Sequence, residues 1–424
     1  MSKRVSPGSL LLGLVGVLAG AGSGMVTPLR VIFLAVVLYT PISIIGLIEG
    51  LAASVACVLP ALITHRPTLR KPLLLLGYAL STAARPLLAL AGGWTFALFP
   101  ILLDHAGKGI RSGLREVALA PSAAPGRAAP TLRLHYILSL FGVVLGVLIA
   151  AFLLLANFNL RDILLWSVVP GSLSLLFLAA LLLTGRKAAV AGHIPLAQVT
   201  TSTATHRAQA LGTRFWMFAA ISTLASLGTL SSGFFVLRAA SLEQSFVGVA
   251  FIYLAYALLR ALLSAPLGAL RERWGYLPVL MSGHILMIIV YLGFTLATDA
   301  WNMWALFSLY AIYAASTSGV WKGFLADTVP EGSRGRALRW YMGLTGVALL
   351  PANAIAGWLW TVGGPSATFS YAMWVTILAI GLTVAWLPWL RRGYPVETSS
   401  SSDEAEPIER KEVSLQWDQS NLHG

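Results

Sequence analysis

Asp104 and Lys108 stand four residues apart in the stretch DHAGKGIRSGLREV, and so do Lys108 and Ser112, Arg111 and Arg115, and Ser112 and Glu116. On a helix that spacing stacks side chains on one face. Asp104 can then pair with Lys108, while Arg115 and Glu116 reach neighbouring helices or loops. The Gly-Lys-Gly core has some likeness to a phosphate-cradling loop. Such a loop needs a strand before it and a Ser or Thr directly after the Lys, whereas Gly109 follows Lys108 here and the flanks are long apolar runs. The stretch therefore reads as the charged end of a membrane helix, in which Gly107, Gly109 and Gly113 would let a second helix approach closely. Two roles stay open for it: a charge latch that rearranges when one side of the protein opens, and a static packing and topology device.

The elements that carry these charges follow from composition. With 424 residues, 57% of them hydrophobic and 11% charged, the chain has too little polar surface to coat a soluble globule. At about 20 apolar residues per helical crossing, it divides into roughly twelve spans. They are 9–37, 43–63, 72–91, 94–119, 131–156, 162–184, 214–239, 244–267, 277–297, 301–326, 338–361 and 367–389. Lys3 and Arg4 before an apolar run resemble a secretory signal, but the run resumes at once through VTPLRVIFLAVVL, so an uncleaved first helix is expected.

With the N-terminus in the cytoplasm, nearly all loop lysines and arginines fall inside, and only Arg161 and Arg238 fall outside. Both termini are then cytoplasmic in a multi-pass inner-membrane protein. The net charge of +13 is topological information and carries no implication of nucleic-acid binding. A polar segment from Gly185 to Thr213 separates two halves, and a mixed-charge, apolar-poor segment from Gly393 to Gly424 reads as a disordered tail. The expected organisation is a six-helix bundle over 1–184, a cytoplasmic linker over 185–213, a second bundle over 214–389 and a tail over 390–424. His65 and Glu272, and likewise Gly126 and Gly335, occupy matching loops of the two halves at nearly equal separations, which points to a duplicated six-helix unit.

Three stretches carry a family resemblance: LRKPLLLLGYALSTAARPLLALAGGW, DHAGKGIRSGLREVALA and LPANAIAGWLW. They resemble a bacterial permease and efflux-like branch of the major facilitator superfamily, whose members read RRKPL, RPLLALA, DR-GKGIR-PRDALIA and LPAS-AGLLW at these places. The resemblance spans the chain from the first helix to the twelfth. It implies an all-α membrane fold of twelve helices in two bundles around a central cavity, alternating access, and a small-molecule substrate carried by a monomer. This chain also departs from the pattern. Gly20 and Gly24 stand in the first helix where relatives place acids, His65 replaces a loop Asp, and Ser232 replaces an acid in the seventh helix, while Glu272 retains a carboxylate in the second-half loop.

Candidate substrate and coupling residues follow. An isolated cation in hydrocarbon costs about 2.5 to 3.5 kcal/mol, so Arg30 and Arg260 should face water, a carboxylate or a bound anion, while Arg85, a further candidate, fits the family pattern and has an architectural explanation. Arg30 follows Pro28 in a helix that lines the cavity in this fold, where a break at Thr27-Pro28 would free backbone groups. Arg30 with Arg260 as second contact would meet an anionic substrate. The alternatives are an internal salt bridge or snorkelling to a helix end. Glu49 is the candidate for a coupling proton, with pairing to Arg30 or Arg85 as its structural alternative. Tyr253, Tyr256, Tyr310, Tyr313 and Asn353 come at helical spacing, and Tyr310, Tyr313 and Ser316 are preferred as lining because the tenth helix borders the cavity in this fold. Arg273, Lys322 and Asp327, with Glu272, extend the latch set.

No HExxH, paired metal ligands or nucleophile elbow occurs, so no enzyme chemistry, metal or cofactor is expected. The single cysteine, Cys57, lies in an apolar span and reads as a small buried hydrophobe. Trp94, Trp301 and Trp304 sit at span ends as interface anchors. The expected function is secondary active transport of a small molecule, with export of an anion as one form of it; the rival is a transport-inactive, carrier-shaped receptor or scaffold, a reading that draws on the missing first-helix acids.

Overall fold

In hydrocarbon each backbone N–H and C=O must be satisfied within the protein, which leaves long apolar runs little choice but the helix. A computed structural model describes residues 7–63, 70–119, 128–183, 211–243, 245–320, 329–330, 333–386 and 388. Its helices are α1 (Pro7–Ile32), α2 (Ile42–Ile63), α3 (Arg70–Ala89), α4 (Trp94–Leu119), α5 (Ala128–Leu155), α6 (Leu160–Trp166) and α7 (Val168–Leu183) in the first half. The second half has α8 (Thr213–Leu227), α9 (Ser232–Leu242), α10 (Phe246–Trp274), α11 (Tyr276–Leu296), α12 (Ala300–Thr317) and α13 (Arg334–Ala385). Among the described residues there is no strand, and nine stretches are long and apolar enough to cross a membrane.

One of those stretches is α13, whose 52 residues would measure about 78 Å if straight, more than twice a bilayer core of about 30 Å. It turns back at Gly364, where φ is 72° and ψ is −174°, a conformation open essentially to glycine alone. Beyond the turn Thr368 donates to the Ala356 carbonyl at 2.9 Å and Phe369 packs on Trp360, so α13 consists of two antiparallel legs. These correspond to the expected spans 338–361 and 367–389.

Three expectations are corrected. The seventh span is not continuous but breaks between α8 and α9 at Gly228–Ser231. The tenth is interrupted, since α12 stops at Thr317 and a turn with Gly319 at a φ of 74° follows, and 321–326 lie outside the described residues. The first helix does not break at Thr27-Pro28: α1 runs through Pro28, and its irregularity comes later, as a π-helical segment over Phe33–Val37. The linker over 185–210, the tail from 389, His65, Lys322 and Asp327 lie outside the described residues.

Glycine faces decide how the helices approach. On α1, a β-carbon at Gly20 or Gly24 would strike the α5 backbone at Ser139 or Val143; on α5, one at Gly142 or Gly146 would strike Val17 or Ala21 of α1. The same device joins the halves, where α2 meets the first leg of α13. A β-carbon on Gly50 would stand 2.7 Å from the Leu350 carbonyl oxygen, and one on Gly357 would stand 2.8 Å from that of Ile42. The second seam between the halves is α5 against α10.

Apolar packing differs at the two faces. At the face where α1 begins, each half has its own cluster, around Leu12, Val15, Tyr78 and Leu178 in the first and around Phe215, Phe218 and Ala337 in the second. Toward the opposite face a single cluster, from Met25 and Phe33 through Phe234 and Phe235 to Phe294, unites both halves. The protein is thus sealed most tightly on the face away from its N-terminus. There Arg161 and Arg238 donate to the carbonyls of Ala89 and Ala297, at the ends of α3 and α11.

Candidate functional site

A cavity of about 240 Å³ lies between the halves, with Thr27, Arg30, Glu49, His105 and Lys108 on one wall and Thr229 to Ser232 and Asn353 on the other. Its central feature is a buried ion pair. One guanidinium nitrogen of Arg30 donates to both Glu49 carboxylate oxygens, at 2.7 and 2.8 Å, and the residues are 6% and 2% exposed. The other terminal nitrogen faces His105. Because Nδ1 of that ring lies 2.9 Å from the Ile101 carbonyl, it must carry the hydrogen, leaving Nε2 to accept from Arg30 at 3.1 Å. Among the described residues the Arg30 Nε has no partner.

Glu49 has a further partner from the second half: the Ser231 hydroxyl donates to Oε2. Ser231 is placed there by the break between α8 and α9, where it caps α9 by accepting from the Gly233 N–H. The break frees backbone groups inside the membrane, and neighbouring side chains satisfy them. Tyr291 donates to Gly228 O at 2.7 Å, Tyr371 donates to Leu227 O at 2.9 Å, and Asn353 Oδ1 accepts from the Ser231 N–H at 2.7 Å. Asn353 is held in turn through its amide nitrogen by Leu349 O at 2.8 Å.

The spacing argument for Asp104 and Lys108 holds: their side chains pair at 2.6 Å, and Lys108 borders the central cavity. Arg111 lies 5.0 Å over the Tyr78 ring, and Arg273 is exposed. The side chains of Arg115, Glu116 and Glu272 lie outside the described residues. Arg85 turns away from the cavity and donates to the Ser167 carbonyl between α6 and α7, with its guanidinium against Gly22 and Gly171.

Arg260 is not brought to the Arg30 cavity. It sits in the α5–α10 seam and donates to the hydroxyls of Tyr256 and Tyr136, each at 3.2 Å. Tyr310 belongs to an aromatic ladder, stacked on Phe235 at 4.5 Å and Tyr256 at 5.0 Å, rather than to the lining of the central cavity. Ser316 spends its hydroxyl on the Tyr313 carbonyl of its own helix, and Tyr313 borders a different cavity. Ser232 and Asn353 do line the central one.

Sequence reasoning passed over His105, which lies within α4, and Ser231. A signal for His105 existed, since it lies three residues before Lys108 and so shares its helical stripe. For Ser231 the signal was the run GTLSSG, which combines a helix breaker with N-cap residues. Gly20 and Gly24 face the α5 backbone and not the cavity, so the lack of acids there removes nothing from the site.

The architecture defines a membrane carrier fold: two helical halves, glycine seams between them and a charged cavity where they meet. No family model matches the chain. An uncharacterized MFS-type transporter of Methanocaldococcus jannaschii is 28% identical over 387 residues, covering 89% of this chain and 94% of its own. Among solved structures, a POT family transporter in complex with 5-aminolevulinic acid is similar with a TM-score of 0.72 at 12% identity, covering 91% of this chain and 97% of its own. The human organic anion transporter MFSD10 (TETRAN) has a TM-score of 0.61 at 15% identity, covering 89% of this chain and 100% of its own. The xylose transporter XylE from E. coli has a TM-score of 0.66 at 14% identity, covering 90% of this chain and 97% of its own. The fold is that of the major facilitator superfamily transporters.

Proposed function

We propose that the protein is a secondary active transporter that carries a small organic anion across the cytoplasmic membrane by alternating access, with a proton coupled through Glu49. The observation that carries this reading is the sharing of one carboxylate between Arg30 of the first half and Ser231 of the second. While Glu49 is ionised it occupies Arg30 and holds the halves together on the sealed side. A proton on Glu49 cancels that attraction and leaves the buried guanidinium in need of another anion, which a substrate carboxylate or phosphate would supply. Lys108 and the His105 ring, on the same wall, are the further contacts. Proton and anion then travel together, so export follows wherever the outward anion gradient outweighs the proton force.

The human organic anion transporter of the same fold carries that substrate class in its name; the anion assignment here rests on the cavity. Twelve crossings, cytoplasmic termini and a monomer belong to this reading. The packing of Gly20 and Gly24 on α5 supports this reading over the scaffold alternative, which drew on the missing first-helix acids.

The test is uptake of radiolabelled aromatic and aliphatic carboxylates into proteoliposomes under an imposed proton gradient. The intact protein should accumulate at least one of them, Arg30→Gln should not, and Glu49→Gln should exchange substrate without responding to the gradient. Equal uptake by the intact protein and Arg30→Gln removes the reading.

A further inference from the structure

A second cavity, of about 260 Å³, lies within the second half, enclosed by α8, α11, α12 and both legs of α13. It meets the central cavity only at Thr229, which borders both. Among the described residues, no Asp, Glu, Lys or Arg lines it. An ion entering would lose its hydration without gaining a counter-charge, so the cavity selects against charged ligands.

Four of its polar groups present acceptors, beside the hydroxyls of Ser222, Thr229, Tyr313 and Tyr341. The hydroxyls of Ser226, Thr317 and Thr383 donate up their own helices, to Ser222 O, Tyr313 O and Ala379 O at 2.8, 2.8 and 2.7 Å. Each hydrogen is thereby committed, and the oxygen turns its remaining lone pairs to the cavity. His284 follows the same rule. Nδ1 lies 2.8 Å from the Leu280 carbonyl and so carries the hydrogen, which makes Nε2 an acceptor. The wall thus offers acceptors from α8, α11, α12 and the second leg of α13. Between α8 and the first leg of α13, Phe218 and Tyr341 stack nearly parallel, 5.5 Å apart at 11°.

We propose that this cavity is a binding site for an uncharged, planar aromatic molecule that donates hydrogen bonds, of the indole or phenol class. The rings provide a face for stacking, and the acceptors match an N–H or O–H donor that a plain hydrocarbon lacks. The volume falls just below the roughly 300–1,000 Å³ of drug-sized sites, which suits one small ring system. The site is independent of the anion reading, since no charged residue of the central cavity takes part in it.

The test uses the full chain in lipid nanodiscs, with indole as probe and naphthalene as its donor-free counterpart. Thermal unfolding is followed by a thiol-reactive dye on Cys57, the only cysteine in the chain. Indole should raise the unfolding midpoint saturably and naphthalene should require at least tenfold more. Thr383→Val, which keeps volume and removes the oxygen, and His284→Phe, which removes the ring acceptor, should each weaken indole about tenfold without changing the naphthalene response. Should one variant fail to fold, the other carries the test. Equal shifts with naphthalene and indole, no saturation, or unchanged indole binding in a folded variant overturns the proposal.

Discussion

Removing one member of the Arg30–Glu49 pair should harm the fold more than removing both. The pair is nearly inaccessible, at 6% and 2% exposure, and its two short contacts come from a single nitrogen. Glu49→Leu would leave the guanidinium with only the His105 ring, its Nε already lacking a partner among the described residues. Arg30→Met would leave the carboxylate with only the Ser231 hydroxyl. Stranding a buried charge in this way costs about 3–5 kcal/mol, whereas exchanging both ions for apolar groups of similar volume is often near neutral. The double variant should therefore lie within about 1–2 kcal/mol of the intact protein, giving a coupling energy on the order of 3 kcal/mol or more. The assay is reversible denaturant unfolding of the four proteins in one detergent, analysed as a double-mutant cycle. Single costs that add to the double within about 0.5 kcal/mol would show the two residues to be energetically separate and refute the argument.

Further outcomes follow from other parts of the structure. Gly364→Ala forces a β-carbon into a glycine-only conformation and should cost about 1–3 kcal/mol, read from the same unfolding curves. Gly146→Leu would drive a side chain into the α1 backbone at Ala21, so the yield of folded, monodisperse protein on size-exclusion chromatography should collapse, while Gly381→Leu, with open space around it, should be tolerated. Asp104→Asn leaves Lys108 without its counter-charge at the cavity wall. It should tighten binding of the transported anion severalfold by isothermal titration, and weaker binding would contradict the anion reading.

Length, apolar runs and loop charges made most helices legible in the sequence, because lipid allows so few backbone solutions. The expected 94–119 coincides with α4, and most other ends fall within a few residues. Legibility failed where tertiary partners rescue irregular backbone. Nothing in the local sequence announces that Tyr291 and Tyr371, from distant helices, will satisfy the carbonyls freed between α8 and α9. Pro28 suggested a break because an isolated helix would lose a bond there, yet α1 continues past it. At the candidate site, charge in apolar surroundings singled out Arg30, Glu49, Asp104 and Lys108, which the structure joins in two ion pairs. It could not choose among their partners, which depend on how helices rotate about their axes. Arg260 was misplaced for the same reason: its cost in lipid is met by two tyrosine hydroxyls, which carry no charge to betray them.

The α2–α13 seam has a mechanical consequence. Gly46, Gly50 and Gly357 put bare backbone against backbone, and side chains cross the seam farther along, where Cys57 and Val58 pack on Gly346. Pulling such helices apart forfeits many close contacts at once, while rolling one across the other forfeits few at any instant. The junction therefore behaves as a bearing, stiff against separation and compliant in rotation, and it lies one helical turn or so from the carboxylate that pins the two bodies together.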